Sequence, residues 1–89
     1  MKAVITVMGK DRTGIIAKVS NVLYDINVNI LDISQTIMQD MFTMIMMVDI
    51  SGATVEFNVM SGKLDETGIE LGMQIIIQHE DIFNSMHKV

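Results

Sequence analysis

A chain of 89 residues with a net charge of -5 and 49% hydrophobic residues fits a single folded domain. The excess of acidic residues argues against a nucleic-acid-binding protein, and no apolar run approaches the roughly 18–20 residues of a membrane span. No cysteine is present, which excludes disulfides, thiolate metal sites and cysteine nucleophiles. A mean hydropathy of +0.41 in so short a chain favours burial of apolar surface against a second copy. We expect a cytoplasmic protein that forms a homodimer or a larger homo-oligomer.

The first quarter of the chain predicts a strand followed by an amphipathic helix. β-Branched residues in segment 3–8 predict a strand that ends at Gly9. Thr13 is a candidate N-cap for a helix over 14–25, in which apolar residues recur at helical spacing.

The middle of the chain predicts two strands joined by a tight turn. The inward face of segment 28–38 changes midway, which predicts a β-bulge or a strand buried on both sides. A turn at 39–40 leads to a third strand over 42–50, whose alternation places Phe42, Met44 and other apolar residues on one face.

The last part of the chain predicts a helix, a strand and a short tail. Thr54 is the candidate N-cap of a helix over 55–67, and Gly68 is its candidate C-terminal stop. A fourth strand is predicted over 71–78, and a short helix over 80–86.

This order of elements predicts an α+β fold, the ferredoxin-like βαββαβ sandwich. It has a four-stranded antiparallel sheet with two helices on one face, here with a short C-terminal helix. The other sheet face is bare in one copy of such a fold, and its apolar residues favour a homodimer contact. The fold has many functions, so function depends on the site. A copper chaperone of this fold needs two cysteines, and an RNA-binding domain needs aromatic residues on the sheet; both are excluded.

Two segments together resemble the ACT domain, a small regulatory module that often binds amino acids. They are residues 8–17, MGKDRTGIIA, and residues 27–33, NVNILDI. The resemblance covers essentially the whole chain and is strongest to stand-alone ACT proteins and to ACT domains of the glycine cleavage repressor type. It implies a ligand site at a dimer interface. From one chain the site would use Lys10, Asp11, Arg12, Thr13, Gly14 and Ile15, and from its partner Asn27, Asn29 and Ile30.

The chemistry of these residues suits an α-amino acid. Gly14 has no Cβ and would let a ligand approach the backbone, and unpaired amides at a helix start attract a carboxylate. Half of the basic residues of the chain lie nearby: Lys10, Arg12 and Lys18. Asp11 and the two asparagines offer oxygen atoms to an ammonium group.

Two other interpretations of these segments remain open. Residues 10–15 would then be only a strand-to-helix connection, with Gly14 present for tight packing, and Asn27 and Asn29 would only turn the chain. In that case the protein is an interaction module without a ligand, and it docks a partner enzyme or regulator through its sheet.

No arrangement of residues supports catalysis, a cofactor or a metal. Five of the ten methionines lie between Met38 and Met47, a pattern that could hold Cu(I), but their strand alternation favours core packing. His79 and His87 flank two acidic residues, yet two histidines are more typical of a surface than of a metal site. We therefore predict a regulatory protein and not an enzyme.

Overall fold

The computed structural model describes residues 1–86, and its helices and strands follow the predicted order. The strands are β1 (Lys2–Lys10), β2 (Asn29–Met38), β3 (Met41–Asp49) and β4 (Met73–His79). The helices are α1 (Ile15–Asp25), α2 (Phe57–Leu71) and α3 (Glu80–Met86). The ferredoxin-like α+β fold is confirmed, including the short C-terminal helix.

The four strands form an antiparallel sheet in the order β2-β3-β1-β4. β1 is central, since it pairs with β3 on one side and with β4 on the other. β2 and β4 are the edges of the sheet. The register between β2 and β3 shifts between Ile30 and Asp32, which confirms the predicted bulge. The bulge explains why the apolar pattern of β2 changes face at this point.

The core lies between one face of the sheet and helices α1 and α2. Its largest fully buried side chains come from all these layers: Ile5, Val7, Val19, Leu23, Met44, Met46, Val48, Met60 and Leu64. Met44 and Met46 are completely buried among apolar neighbours, so these two methionines pack the core as predicted.

The predicted helix starts were wrong by one or a few residues. Gly14, not Thr13, is the N-cap of α1, and no side chain caps this helix. α2 begins at Phe57 after the extended residue Glu56, so Thr54 is not its cap either. In both cases a residue suited to capping precedes the helix, but the helix begins further along the chain.

The predicted helix end at Gly68 was also wrong, because α2 continues to Leu71. Gly72, with a φ of 71°, ends the helix in the left-handed conformation that glycine favours. Gly68 has a packing role instead. A Cβ atom built on Gly68 would lie 2.6 Å from the carbonyl oxygen of Met73, so only glycine allows α2 to lie this close to β4. β4 consequently begins at Met73 and not at Leu71.

The short helix α3 lies on the sheet face opposite α1 and α2, which we call the open face. Val4 is only 1% exposed although it lies outside the core cluster, and α3 contacts both β1 and β4. The Met86 sulfur accepts a hydrogen bond from Gln78 Nε2 at 3.1 Å. α3 therefore covers one end of the open face. Within residues 1–86, no helix combines the length and apolar character needed to cross a membrane.

The two glycines of α2 provide a matched test of the close contact between α2 and β4. We expect Gly68→Ala to lower the free energy of unfolding by about 1–3 kcal/mol, because the added methyl group meets backbone. Gly62→Ala should raise it by about 0.5–1 kcal/mol, since no atom lies within 4 Å of its Cβ position and alanine favours helix. Urea denaturation measures both. Equal effects of the two substitutions would contradict the packing role of Gly68.

Candidate functional site

The loop between β1 and α1 is held against the turn between β2 and β3. The N–H of Asp11 donates a hydrogen bond to the carbonyl oxygen of Asp40 at 2.6 Å. Gly14 then takes a φ of 90°, which turns the chain into α1. The first helical hydrogen bond runs from the N–H of Lys18 to the carbonyl oxygen of Gly14. The N–H groups of the preceding three residues have no acceptor within the helix, so they favour an anion.

The residues at the start of α1 line a cleft of about 290 Å³ between the loop, the first turn of α1 and the edge strand β2. The cleft is lined by Asp11, Arg12, Gly14, Ile15, Ile16, Ala17, Gln35, Ile37 and Phe42. Phe42 is buried and Ile37 is exposed, so the cleft has an apolar floor that opens at the edge of the sheet. The cleft thus combines the charged residues Asp11 and Arg12 with an apolar wall.

The cleft residues of β2 and β3 were not among the predicted site residues. Gln35, Ile37 and Phe42 reach the cleft because antiparallel pairing places them on the face that carries α1. The only sequence signal for them is the alternation of β2 after its bulge. That signal cannot reveal that the helices leave this edge of the sheet uncovered.

The basic residues near the cleft are partly engaged elsewhere. Arg12 Nη1 donates to the carbonyl oxygen of Leu71 at 3.4 Å, a long hydrogen bond to the end of α2. Lys18, on α1, forms an ion pair with Glu70, near the C-terminal end of α2. Lys10 lies at the end of β1 opposite Met41 and does not line the cleft. Of the three predicted cations, Arg12 alone borders the cleft.

The predicted asparagines lie at the other end of α1, about 16 Å away by the rise of an 11-residue helix. There they border a second cleft of about 310 Å³ with Tyr24, Val28, Asp49 and Gly52. Asn27 has a φ of 60°, and its Nδ2 donates to the carbonyl oxygen of Gly52 at 2.9 Å. Asn27 therefore does turn the chain and tie two loops together.

The nine predicted site residues accordingly do not meet within one copy of the chain. Asp11, Arg12, Gly14 and Ile15 line the first cleft, whereas Thr13 is exposed and does not line it. Asn27 and Asn29 line the second cleft, and Ile30 packs against the core. A single ligand could contact both groups only if a second copy contributed one of them.

Glycine is favoured at position 14 by the backbone conformation and not by packing. No atom lies within 4 Å of a Cβ built at this position, which rules out the tight helix–strand contact considered from the sequence. The open space also leaves the backbone at the start of α1 accessible to a ligand.

The histidine that the structure describes is part of a packing contact. The ring of His79 stacks on Phe57, with centroids 4.3 Å apart and planes 16° from parallel. His87 lies outside the described residues. Within residues 1–86, no group of three or more His, Asp or Glu side chains is arranged to hold a metal ion.

The fold, the uncapped helix start and the adjoining cleft define a small ferredoxin-like domain with a surface suited to a ligand. The sequence profile of the ACT domain matches residues 2–78, so the chain belongs to the ACT domain family. Members of this family are regulatory domains that often bind amino acids.

Relatives and solved structures agree with this assignment. The chain is 56% identical to UPF0237 protein MJ1558 of Methanocaldococcus jannaschii, over 99% of this chain and 98% of the relative. It matches an ACT domain protein from Streptococcus pneumoniae at 41% identity and a TM-score of 0.81, covering 93% of each chain. A putative glycine cleavage system transcriptional repressor shares the fold at 23% identity and a TM-score of 0.72. That match covers 86% of this chain and 43% of the repressor.

Substitution of Gly14 tests the left-handed conformation at the helix start. We expect Gly14→Ala to lower the free energy of unfolding by about 1–2 kcal/mol, because a Cβ is strained at this φ. Gly14→Asn should cost less, since asparagine tolerates this region. Urea denaturation compares the variants, and an alanine variant as stable as the asparagine variant would contradict this explanation.

Asp49, which borders the second cleft, should make stability depend on pH. The backbone N–H of Ser51 donates to Asp49 Oδ1 at 2.9 Å and, with the Ser51 hydroxyl, lowers the pKa of this carboxyl group. The stabilisation is therefore fully present above the unfolded value of about 4 and is lost as pH falls through the folded value. Asp49→Asn should lower stability at pH 6 and lose less stability than wild type between pH 4 and pH 2. Thermal unfolding across this range measures the difference, and parallel curves would contradict it.

Proposed function

We propose that this chain is a regulatory protein, not an enzyme, that forms a homodimer and binds an α-amino acid between its two copies. The observation that carries this proposal is the uncapped start of α1 beside the cleft that contains Asp11 and Arg12. The free amides and Arg12 suit the carboxylate of the ligand, and Asp11 suits its ammonium group. Ile37 and Phe42 suit an apolar side chain.

The edge strand β2 supports the dimer. β2 pairs with β3 on one side, and its other side carries backbone groups without a strand partner in one copy. Several of its apolar side chains are exposed, including Leu31, Ile33 and Ile37. An exposed edge of this kind is a template for pairing with another strand. Two β2 strands from two copies would bury these side chains and extend the sheet to eight strands.

The geometry of such a pair would bring the two separated groups of site residues close together. If two β2 strands pair antiparallel about an axis near Ile33, the bulge places Ile30 of one copy opposite Gln35 of the other, and residue 28 opposite residue 37. Asn29 of the second copy would then lie one position along the strand from the residue opposite Ile37, close to the first cleft but on the open face of the sheet. Asn27 would follow on the adjoining loop, and Ile30 would continue the apolar wall. This arrangement gives each dimer two equivalent sites.

A thermal-shift screen against the twenty amino acids tests the ligand. We expect a saturable rise in melting temperature with one compound or a chemically related group. At a concentration 100 times the dissociation constant, binding adds about 2.7 kcal/mol of stability. No response to any of the twenty would contradict the proposed ligand class.

The Asp11→Asn variant then tests where the ligand binds. It removes the carboxylate but retains the backbone N–H that holds the loop, so we expect affinity to fall at least tenfold, or about 1.4 kcal/mol. Asp65→Asn is the matched control because Asp65 is exposed on α2, outside the cleft. Isothermal titration calorimetry measures both variants. Equal affinities would remove Asp11 from the site and leave the ligand class to the thermal-shift result.

A second candidate function is an interaction module without a ligand, and the contacts of the basic residues favour it. Arg12 and Lys18 both bind the C-terminal end of α2, which reduces the positive charge offered to a carboxylate. In this case the edge and faces of the sheet would dock a partner enzyme or regulator. A flat thermal-shift screen together with an intact homodimer favours this candidate.

A further inference from the structure

We propose that three methionine side chains at one corner of the open face, those of Met8, Met38 and Met41, form a binding site for the soft metal ion Cu(I). We call these three residues the thioether corner. The site is independent of the amino-acid cleft, because it lies on the other face of the sheet. Three features support it: the strand register, the exposure of the side chains and the chemistry of their neighbours.

The methionine-rich segment 38–47 is divided between two environments. Met44 and Met46 lie in the core and have no exposed surface. Met38 and Met41 lie on the open face and are 68% and 52% exposed. Core packing, the role expected of this segment from its sequence, therefore accounts for the first pair. It leaves the sulfur atoms of the second pair without a structural role.

Antiparallel pairing brings a third methionine to the same corner. Met38 lies directly opposite Met41, and Cβ atoms in such positions are about 4.5–5.5 Å apart. On the other side of β3, Met8 pairs with Thr43, so it is a diagonal neighbour of Met41. Diagonal neighbours lie about 7–8 Å apart, within the reach of long side chains. Met41 is thus flanked by a methionine on each neighbouring strand.

The turn between β2 and β3 fixes this register. Gln39 and Asp40 both have positive φ, as the short turns that match the twist of two paired strands require. The hydrogen bond from the Asp11 N–H to the Asp40 carbonyl oxygen ties the turn to the end of β1. The two methionines that flank the turn are thereby held next to the strand that carries Met8.

The ligand chemistry of the corner selects Cu(I). Thioether sulfur is a soft ligand that favours this ion, whereas imidazole suits zinc and carboxylates suit magnesium or calcium. Among the residues that the structure describes, the other strand partners of the three methionines are Lys10, Thr43 and Gln74. None of them supplies an imidazole, a thiolate or a carboxylate. A harder metal ion therefore finds no preferred ligand in the corner.

The charges at this end of the sheet are compatible with a bound cation. Lys10 lies opposite Met41, and its ammonium group repels a metal ion. Asp11 follows Lys10 in the chain, and Asp40 lies in the adjoining turn. The two carboxylates outnumber the one ammonium group, and the whole chain has a net charge of -5. Lys10 is also exposed, so its flexible side chain can carry the ammonium group away from the corner.

Titration with Ag(I), a soft monovalent ion that needs no reductant, tests the site. Isothermal titration calorimetry of the full chain with silver nitrate should show saturable binding of one ion per chain. Zinc nitrate should show no such binding. Anaerobic competition with bicinchoninate then measures Cu(I) itself. If Ag(I) does not bind saturably, the proposal is overturned and the corner is an apolar surface only.

Leucine variants locate the bound ion. Met8→Leu, Met38→Leu and Met41→Leu each remove one sulfur and keep the apolar bulk, so each should lower the affinity for Ag(I) about tenfold or more. Met86→Leu is the matched control, because Met86 is 66% exposed and lies on α3, at the other end of the open face. It should bind as tightly as the wild type.

Full affinity in any of the three corner variants, or an equal loss in the control, would overturn the three-sulfur site. Circular dichroism establishes that each variant is folded.

Nuclear magnetic resonance of the methionine methyl groups gives a second readout, which does not depend on affinity. In a chain labelled with ¹³C at these methyl groups, Ag(I) should shift the signals of the thioether corner, because each methyl carbon is bonded to a sulfur ligand. The signals of the buried Met44 and Met46 should stay in place. Shifts confined to methionines outside the corner would overturn the proposal.

Discussion

The structure depends on the double pairing of β1, which forms antiparallel ladders with β3 and with β4 along nearly its whole length. This central position buries Ala3, Ile5 and Val7 completely beneath the helices. It also makes β2 and β4 the edges. α1 connects β1 to the edge strand β2 and passes over β3, and its first turn borders the β2 edge, where Gln35 and Ile37 line the same cleft. The candidate cleft is the space that results.

Glycines set how closely the helices lie to the sheet and how the chain enters them. Gly68 lets α2 approach the backbone of β4, and Gly72 ends that helix in a left-handed conformation. Gly14 turns the chain into α1 without supplying a capping side chain. The amides at the start of α1 therefore stay available to a ligand. A serine or aspartate cap would have satisfied one of them and weakened the site as a place for an anion.

One copy of the chain leaves apolar surface uncovered in two separate places. Along the β2 edge, Leu31, Ile33 and Ile37 are exposed, and on the open face Met8, Ile45 and Ile76 are exposed. A short chain buries a smaller fraction of its surface than a long one, so contact with further copies is a direct way to remove such residues from water.

Local patterns in the sequence were sufficient for the order of elements, because each pattern is a property of neighbouring residues. Alternation identified the buried face of β3 with Phe42 and Met44, and the change of phase in β2 predicted its bulge. The motif at residues 8–17 led to the ACT domain family. The caps were harder to predict. Thr13 and Gly68 carry suitable chemistry, but the end of a helix is selected by its fit to the sheet.

Only the tertiary structure separated the candidate site residues. Asp11 and Asn29 both belong to the segments that resemble the ACT domain. The 11-residue helix α1 lies between them, however, and holds them at its opposite ends. The position of α3 was also decided by the tertiary structure. Its sequence predicts a short helix but does not predict which sheet face the helix covers. Periodicity along the chain records which side of an element is apolar. Which surface meets that side depends on contacts between residues far apart in the chain, and these exist only once the strands have paired.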